Sequence, residues 1–207
     1  MPTRLLRRGS IWLVVVLLLL CCCYATRNAW LGACGRALIV QNRNTSLKPA
    51  DAVLVPTADW LRDDFVSERL IEAAKLVQSG LGASLWVTCP TLYGVSECEI
   101  GKAFLTQAGF RAPTLQAIQT TFQPETAEAR LAAEQLSSRG IKSVVVVVPD
   151  YESRRLDGIY RRICAQRGIV ARTLAVSTPQ FNADNWWQAR QSRKVFFDEM
   201  TRWTGIL

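Results

Sequence analysis

The chain has 207 residues, 49% of them hydrophobic and 20% charged, with 12 glycines. That composition fits one folded domain and excludes fibrous, low-complexity and disordered chains. No histidine is present, so Ser-His-Asp triads, Cys-His dyads, His-ligated zinc and histidine phosphotransfer are excluded within this chain.

The net charge of +8 is unevenly placed. Seven of the 25 basic residues (Arg4, Arg7, Arg8, Arg27, Arg36, Arg43 and Lys48) precede the first acidic one, which leaves 18 basic against 17 acidic residues in the remainder. The body is near neutral, so the basicity reads as membrane topology and no nucleic-acid partner is expected.

Residues 9–26 carry no charge. As a helix rising about 1.5 Å per residue they cover about 27 Å, enough to cross a hydrocarbon core of about 30 Å once. Arg4, Arg7 and Arg8 stand just before this stretch, and the positive-inside rule keeps them in the cytoplasm. The expected layout is a basic cytoplasmic tail (1–8), a transmembrane anchor (9–26) in contact with membrane lipid, a stalk (27–50) and an α/β domain (51–207). The protein would then sit in the inner (cytoplasmic) membrane with its body on the periplasmic or extracytoplasmic side. Arg27, Arg36 and Arg43 reduce the charge asymmetry. A cleaved signal peptide ending at Cys23-Tyr24-Ala25 and a lipoprotein modified at Cys21 or Cys34 are the alternatives.

The seven cysteines show no CxxC spacing, so neither a zinc ribbon nor a thioredoxin-type redox site is expected, and no metal site is assigned. Cys89 and Cys98 flank one strand-to-helix connection. Either they pair in an oxidising compartment or they are small buried residues.

From Asp51 the chain alternates strand and helix signals. A short apolar run closes at Pro56, and Leu61, Phe65, Leu70, Ala73 and Val77 recur at helical spacing between Asp59 and Ser79. Residues 84–88 form a second strand, and Ser96 caps a helix ending at Gly109. A third strand spans 114–118, and a helix over 125–139 stops at Gly140. Five consecutive valines at 144–148 read as a strand buried on both faces, the centre of a parallel sheet. A helix over 154–167, a strand over 169–176 and an amphipathic helix over 185–203 complete the pattern. The prediction is an α/β fold: a doubly wound, mostly parallel sheet of about five strands with helices on both faces, preceded by one N-terminal transmembrane helix.

Such sheets bind ligands outside the carboxyl ends of their strands. The residues expected there include Thr57, Ala58 and Asp59; Thr88, Cys89, Ser96 and Glu97; Thr120, Thr121, Glu125 and Thr126; Asp150, Tyr151 and Glu152; and Ser177 and Thr178. Neither GxGxxG nor GxxxxGK[ST] occurs, so a Rossmann NAD enzyme and a P-loop NTPase are not indicated, and no cofactor is assigned.

Five patches in this order resemble the SanA/ElyC/YdcF-like family of bacterial proteins, whose envelope members carry one N-terminal span. They are Asp51 to Val55; Glu68-Arg69-Leu70 through Ala74 and Gly80; Ser96-Glu97 with Leu105 and Gly109; Thr126-Ala127-Glu128; and Tyr151-Glu152-Ser153-Arg154-Arg155. Trp186-Trp187 and Glu199 also fit. The resemblance covers roughly residues 50–203. Departures are clear: Pro56-Thr57-Ala58 and Cys89-Pro90 stand where the family has glycines, Glu152 replaces the family's His, and Ala129 its Asn.

The resemblance implies an envelope-biogenesis protein that binds or processes a small anionic ligand, phosphorylated or lipid-linked. Glu97, Glu128, Asp150 and Glu152 are the candidate acid-base carboxylates, and Arg69, Thr126, Tyr151 and Arg155 the candidate ligand-binding residues. Each carboxylate in a first helical turn also has the plainer role of complementing the helix dipole. The competing expectations are a non-catalytic interaction module that kept the fold but lost the pocket chemistry, and a nucleotide-binding enzyme tethered to the inner face.

Overall fold

The structure is a computed structural model that describes residues 3–40, 48–56, 66–92, 95–110, 115–121 and 124–205. The expected loop residues Thr57, Ala58 and Asp59, the helical start over 59–65 and the polar stretch at 41–46 lie outside the described residues.

Helix α1 (Thr3–Ala37) leads into strand β1 (Ala52–Val55), α2 (Val66–Gln78), β2 (Leu85–Leu92), β3 (Val95–Ser96) and α3 (Glu97–Gln107). Then follow β4 (Leu115–Thr120), α4 (Glu125–Ser138), β5 (Ser143–Pro149), a 3-10 turn at Asp150–Glu152, α5 (Ser153–Ala165), β6 (Val170–Val176) and α6 (Arg190–Thr204). Five parallel strands lie in the order β4-β2-β1-β5-β6, and the two residues of β3 pair antiparallel with β2. The fold is the expected α/β sheet with helices on both faces.

The valine run is β5, and all five valines are buried. Val145 and Val147 pack with residues of α2 and α3, whereas Val144, Val146 and Val148 pack with α4 and α5. That division is the two-residue period of a strand covered on both faces. The expected place at the sheet's centre is corrected: β1 holds the middle, and β5 lies between β1 and β6. The chain winds outward from β1 through α2 and α3 to β4, then crosses back through α4 and continues on the other side.

Two further expectations are revised. Strand β2 extends through Cys89 and Pro90, which pair with Gln119 and Thr120, so these residues belong to the strand and not to the loop after it. The apolar N-terminal helix does not stop at residue 26 but runs to Ala37 as one element of 35 residues. Its stretch Val15–Ala37 is long and apolar enough to cross a membrane.

The helix continues because its last turns have a surface to pack on. Leu38 is buried with Phe181, Trp186 and Phe196, and the Trp186 indole donates to the Leu31 carbonyl at 2.8 Å. A Cβ at Gly35 would come within 2.3 Å of the Ala183 carbonyl oxygen, so glycine is what allows the helix to approach this closely. Arg36 pairs with Asp184 beside that contact.

Val146 pairs with Leu54 on one side and Thr173 on the other, with no exposed surface. Val146→Asp buries an unpartnered carboxylate, at a cost on the order of several kcal/mol and a large share of a domain's stability. Thermal unfolding of the variant should show a much lowered midpoint or insoluble protein; a normal midpoint would contradict the packing.

Candidate functional site

β1 and β5 are neighbours whose connections leave to opposite faces, which opens a crevice at their carboxyl ends. Pro56 ends β1 there, and its carbonyl accepts from the buried Arg69 guanidinium of α2 at 3.1 Å. Asp150 follows β5. Its Oδ1 accepts from the Tyr151 amide at 2.9 Å and from the Thr178 hydroxyl at 3.5 Å. Burial outweighs those two bonds and raises the Asp150 carboxyl to about 6. Tyr151 turns its ring edge-on to Phe181, with centroids 6.0 Å apart.

Arg155, in the first turn of α5, is the hub of an ionic cluster. Its Nε and NH2 groups donate to Glu199 of α6 at 2.6 and 3.1 Å, and its NH1 lies 3.2 Å from Glu125 of α4. Arg202 reaches Glu152 at 2.9 Å and Glu125 at 3.6 Å. Burial works against the charge on Arg155, but Glu199, Glu152 and Glu125 outweigh it and hold its pKa above the ordinary value. Burial raises Glu152, opposed by Arg155, Arg202 and Arg69. Arg69 therefore shares the field of this cluster from the opposite face of the sheet.

The other candidates make contacts of their own. Glu128 of α4 is buried and accepts from the Thr88 hydroxyl in the middle of β2. Its charge, after burial, is the next influence keeping the buried Tyr160 phenol protonated. Glu97 is buried in the first turn of α3, where the Ser96 hydroxyl accepts from the Cys98 amide at 3.3 Å as an N-cap. Cys89 and Cys98 form a disulfide, with Cα atoms 5.5 Å apart, that ties β2 to the start of α3. This resolves the alternative left open by their spacing.

Beside the hub, an open cleft of about 490 Å³ is bounded by Pro124, Glu125 and Thr126 at the start of α4, by α5, and by Arg202 and Trp203 of α6. The α5 wall presents Arg154, Arg155, Gly158, Ile159 and Arg162. Added atoms at Gly158 would meet nothing within 4 Å, so this glycine leaves the cleft open. The volume is in the range of small-molecule sites.

The structure thus gathers Arg69, Glu152 and Arg155 in one field and puts Thr126 and Arg155 on one cleft, while Asp150 and Tyr151 stand at the β1–β5 crevice. Sequence reasoning missed Arg202, and it treated Glu125 as a helix-dipole residue. The available signal was on α6: Ser192, Phe196 and Glu199 follow helical spacing and all three are buried, so a carboxylate sits on the inward stripe and requires a cation. Searches against protein families and against curated proteins match nothing for this chain.

Two outcomes follow from this geometry. A carboxyl held near 6 in the folded state and near 3.8 when unfolded favours folding when protonated, so its contribution to stability is lost as pH rises from about 4 to above 6. Asp150→Asn keeps an acceptor for Tyr151 and Thr178 and should flatten that part of the stability curve measured by denaturant unfolding. Glu199→Ala strands a mostly buried guanidinium and should cost about 3 kcal/mol. Glu125→Gln, at a more exposed partner, should cost less than about 1 kcal/mol.

Proposed function

We propose that this is a single-pass membrane-anchored envelope-biogenesis protein of the SanA/ElyC/YdcF type, which binds or processes a small anionic ligand, phosphorylated or lipid-linked, at the carboxyl edge of its sheet. The observation that carries the reading is the cleft beside Arg155. Arg154, Arg155, Arg162 and Arg202 border it, with Thr126 and the amino end of α4. Helix starts and guanidinium forks are the groups proteins use to hold phosphate oxygens. Among the described residues no carboxylate pairs with Arg154 or Arg162, so these two supply the attraction while Arg155 is held by Glu199 and Glu125.

The five sequence patches and their order support the family reading. Helix α1 supports the anchor, and the Cys89–Cys98 disulfide supports a body exposed to an oxidising, extracytoplasmic compartment. The non-catalytic module is the second reading, favoured by one observation: Arg155 and Arg202 are already engaged by Glu125, Glu152 and Glu199.

Titration of the full chain in detergent with inorganic pyrophosphate tests the site. Gly158→Phe projects a ring into the open cleft and Arg162→Ala removes a cation, and each should weaken binding about tenfold with an unchanged melting temperature. Equal affinity in both variants would overturn the cleft as the site and favour the interaction module. A phosphatase reporter that is active only outside the cytoplasm, fused to the C-terminus, should be active; an inactive but expressed fusion would reverse the topology.

A further inference from the structure

Helix α6 carries large apolar side chains in the open. Phe197 is 57% exposed, Met200 40% and Trp203 47%. Residues three apart on a helix drift by about 60° around its axis, so these three cover an arc of about 120° beside the buried stripe. The same spacing continued backwards reaches Lys194, with Arg190 and Arg193 in the turn before it. The helix therefore joins a basic start to an exposed apolar strip, with Asp198 as the one exposed carboxylate along it.

The position of α6 relative to α1 indicates what covers that strip. The Phe197 ring meets the Trp186 ring edge-on at 5.9 Å, and the Trp186 indole bonds the Leu31 carbonyl. If the uncharged stretch ending at residue 26 fills the hydrocarbon, Leu31 lies four residues beyond Arg27, about 6 Å along the helix. The headgroup layer on each side of a bilayer is about 5 to 8 Å thick. If instead the span is Val15–Ala37, Leu31 lies within it. On either placement Trp186 and its neighbour Phe197 are at the level of the headgroups or deeper. On α1 itself, Trp30 is 52% exposed, and the Arg27 guanidinium lies 4.5 Å over the Tyr24 ring, a grouping suited to the interface.

We propose that α6 rests on the bilayer, with Phe197 and Met200 in the headgroup and upper acyl region and Trp203 at its edge. Arg190, Arg193 and Lys194 take anionic headgroups at the start of the helix. This rests on the anchor in the proposed function but not on the anion cleft. An amphipathic helix with cations on one flank and aromatic and aliphatic side chains on the other lies in the interface plane. Arg193 already donates to the Trp187 carbonyl at 2.7 Å, which holds its charge against the Trp186-Trp187 turn. Asp184 is paired with Arg36 and does not oppose the basic group.

The test uses the full chain in vesicles of phosphatidylcholine, with or without phosphatidylglycerol, and a benzophenone amino acid placed in turn at Phe197, Met200, Leu17 and Gln135. Leu17 lies in the span, and Gln135 is exposed on α4. Lipid adducts are expected at Phe197 and Met200 as at Leu17, and not at Gln135. In phosphatidylglycerol vesicles, removing Arg190 or Lys194 (R190A, K194A) should lower the Phe197 yield about fivefold for each cation. Lipid adducts at Leu17 with none at Phe197 or Met200 would overturn the proposal and leave the anchor intact. Adducts from Phe197 to a second copy of the chain would overturn it in favour of a dimer face. Absence of lipid at Leu17 would remove the anchor and this inference together.

Discussion

Arg155 and Glu199 meet at the carboxyl edge of the sheet from helices 44 residues apart, and the elements reaching that edge are fixed by how this pair is satisfied. A guanidinium with a side chain 10% exposed and a carboxylate 2% exposed have lost most of their hydration. Their attraction offsets that loss only when the remaining donors also find acceptors. Glu125 at 3.2 Å and Glu152 at 3.9 Å add ion pairs to the same guanidinium, which ties α4 and the turn after β5 to α5 and α6. The pair is thus less a source of net stability than a condition on geometry: α6 must cross where Glu199 faces Arg155, and Arg202, three residues on, then meets Glu152.

The same edge receives the N-terminal helix. Val40 donates to the Ser153 hydroxyl, Leu38 accepts from the Arg154 amide, and Leu31, Gly35 and Arg36 meet residues 183–186. Every one of these partners follows the carboxyl end of β5 or β6. The N-terminal helix and the cleft therefore share one end of the domain, and Arg154 belongs to both, since its guanidinium also donates to the Ile39 carbonyl at 3.3 Å.

Much of the fold was legible because its signals are local. The valine run, the glycines that end the helices and the Ser96 cap each act within a few residues, and the α/β alternation follows from them. Strand order was not local. The valines were correctly read as buried on both faces, but β1, with only four residues, takes the middle because the chain first builds outward from it to β4 and α4 then carries it back to β5 on the other side of β1. The site divides in the same way. Arg69, Glu152 and Arg155 were identified from one segment each, whereas the Glu199–Arg155 pairing and the part played by Arg202 require knowing that α6 returns across the edge. Residues 27–37 fall in the stalk expected from the sequence, yet their helical packing is decided by Phe181 and Trp186, about 150 positions away.

A chain without histidine has few groups able to exchange a proton near neutral pH. Within the α/β domain cysteine does not fill the role, since burial raises the Cys164 thiol to about 11 and Cys89 and Cys98 are bonded to each other. Burial also raises Glu199 and Glu152, but the arginines oppose it and favour their charged forms. Asp150 has neutral donors beside it, the Tyr151 amide, the Thr178 hydroxyl and its own amide, and desolvation outweighs them. Its position at the end of β5 keeps it out of the arginine cluster, although Glu152, two residues later, is inside it. The backbone turn at Asp150–Glu152 thus places two carboxylates raised by burial in different surroundings, Glu152 beside opposing guanidinium groups and Asp150, raised to about 6, beside neutral donors at the crevice between β1 and β5.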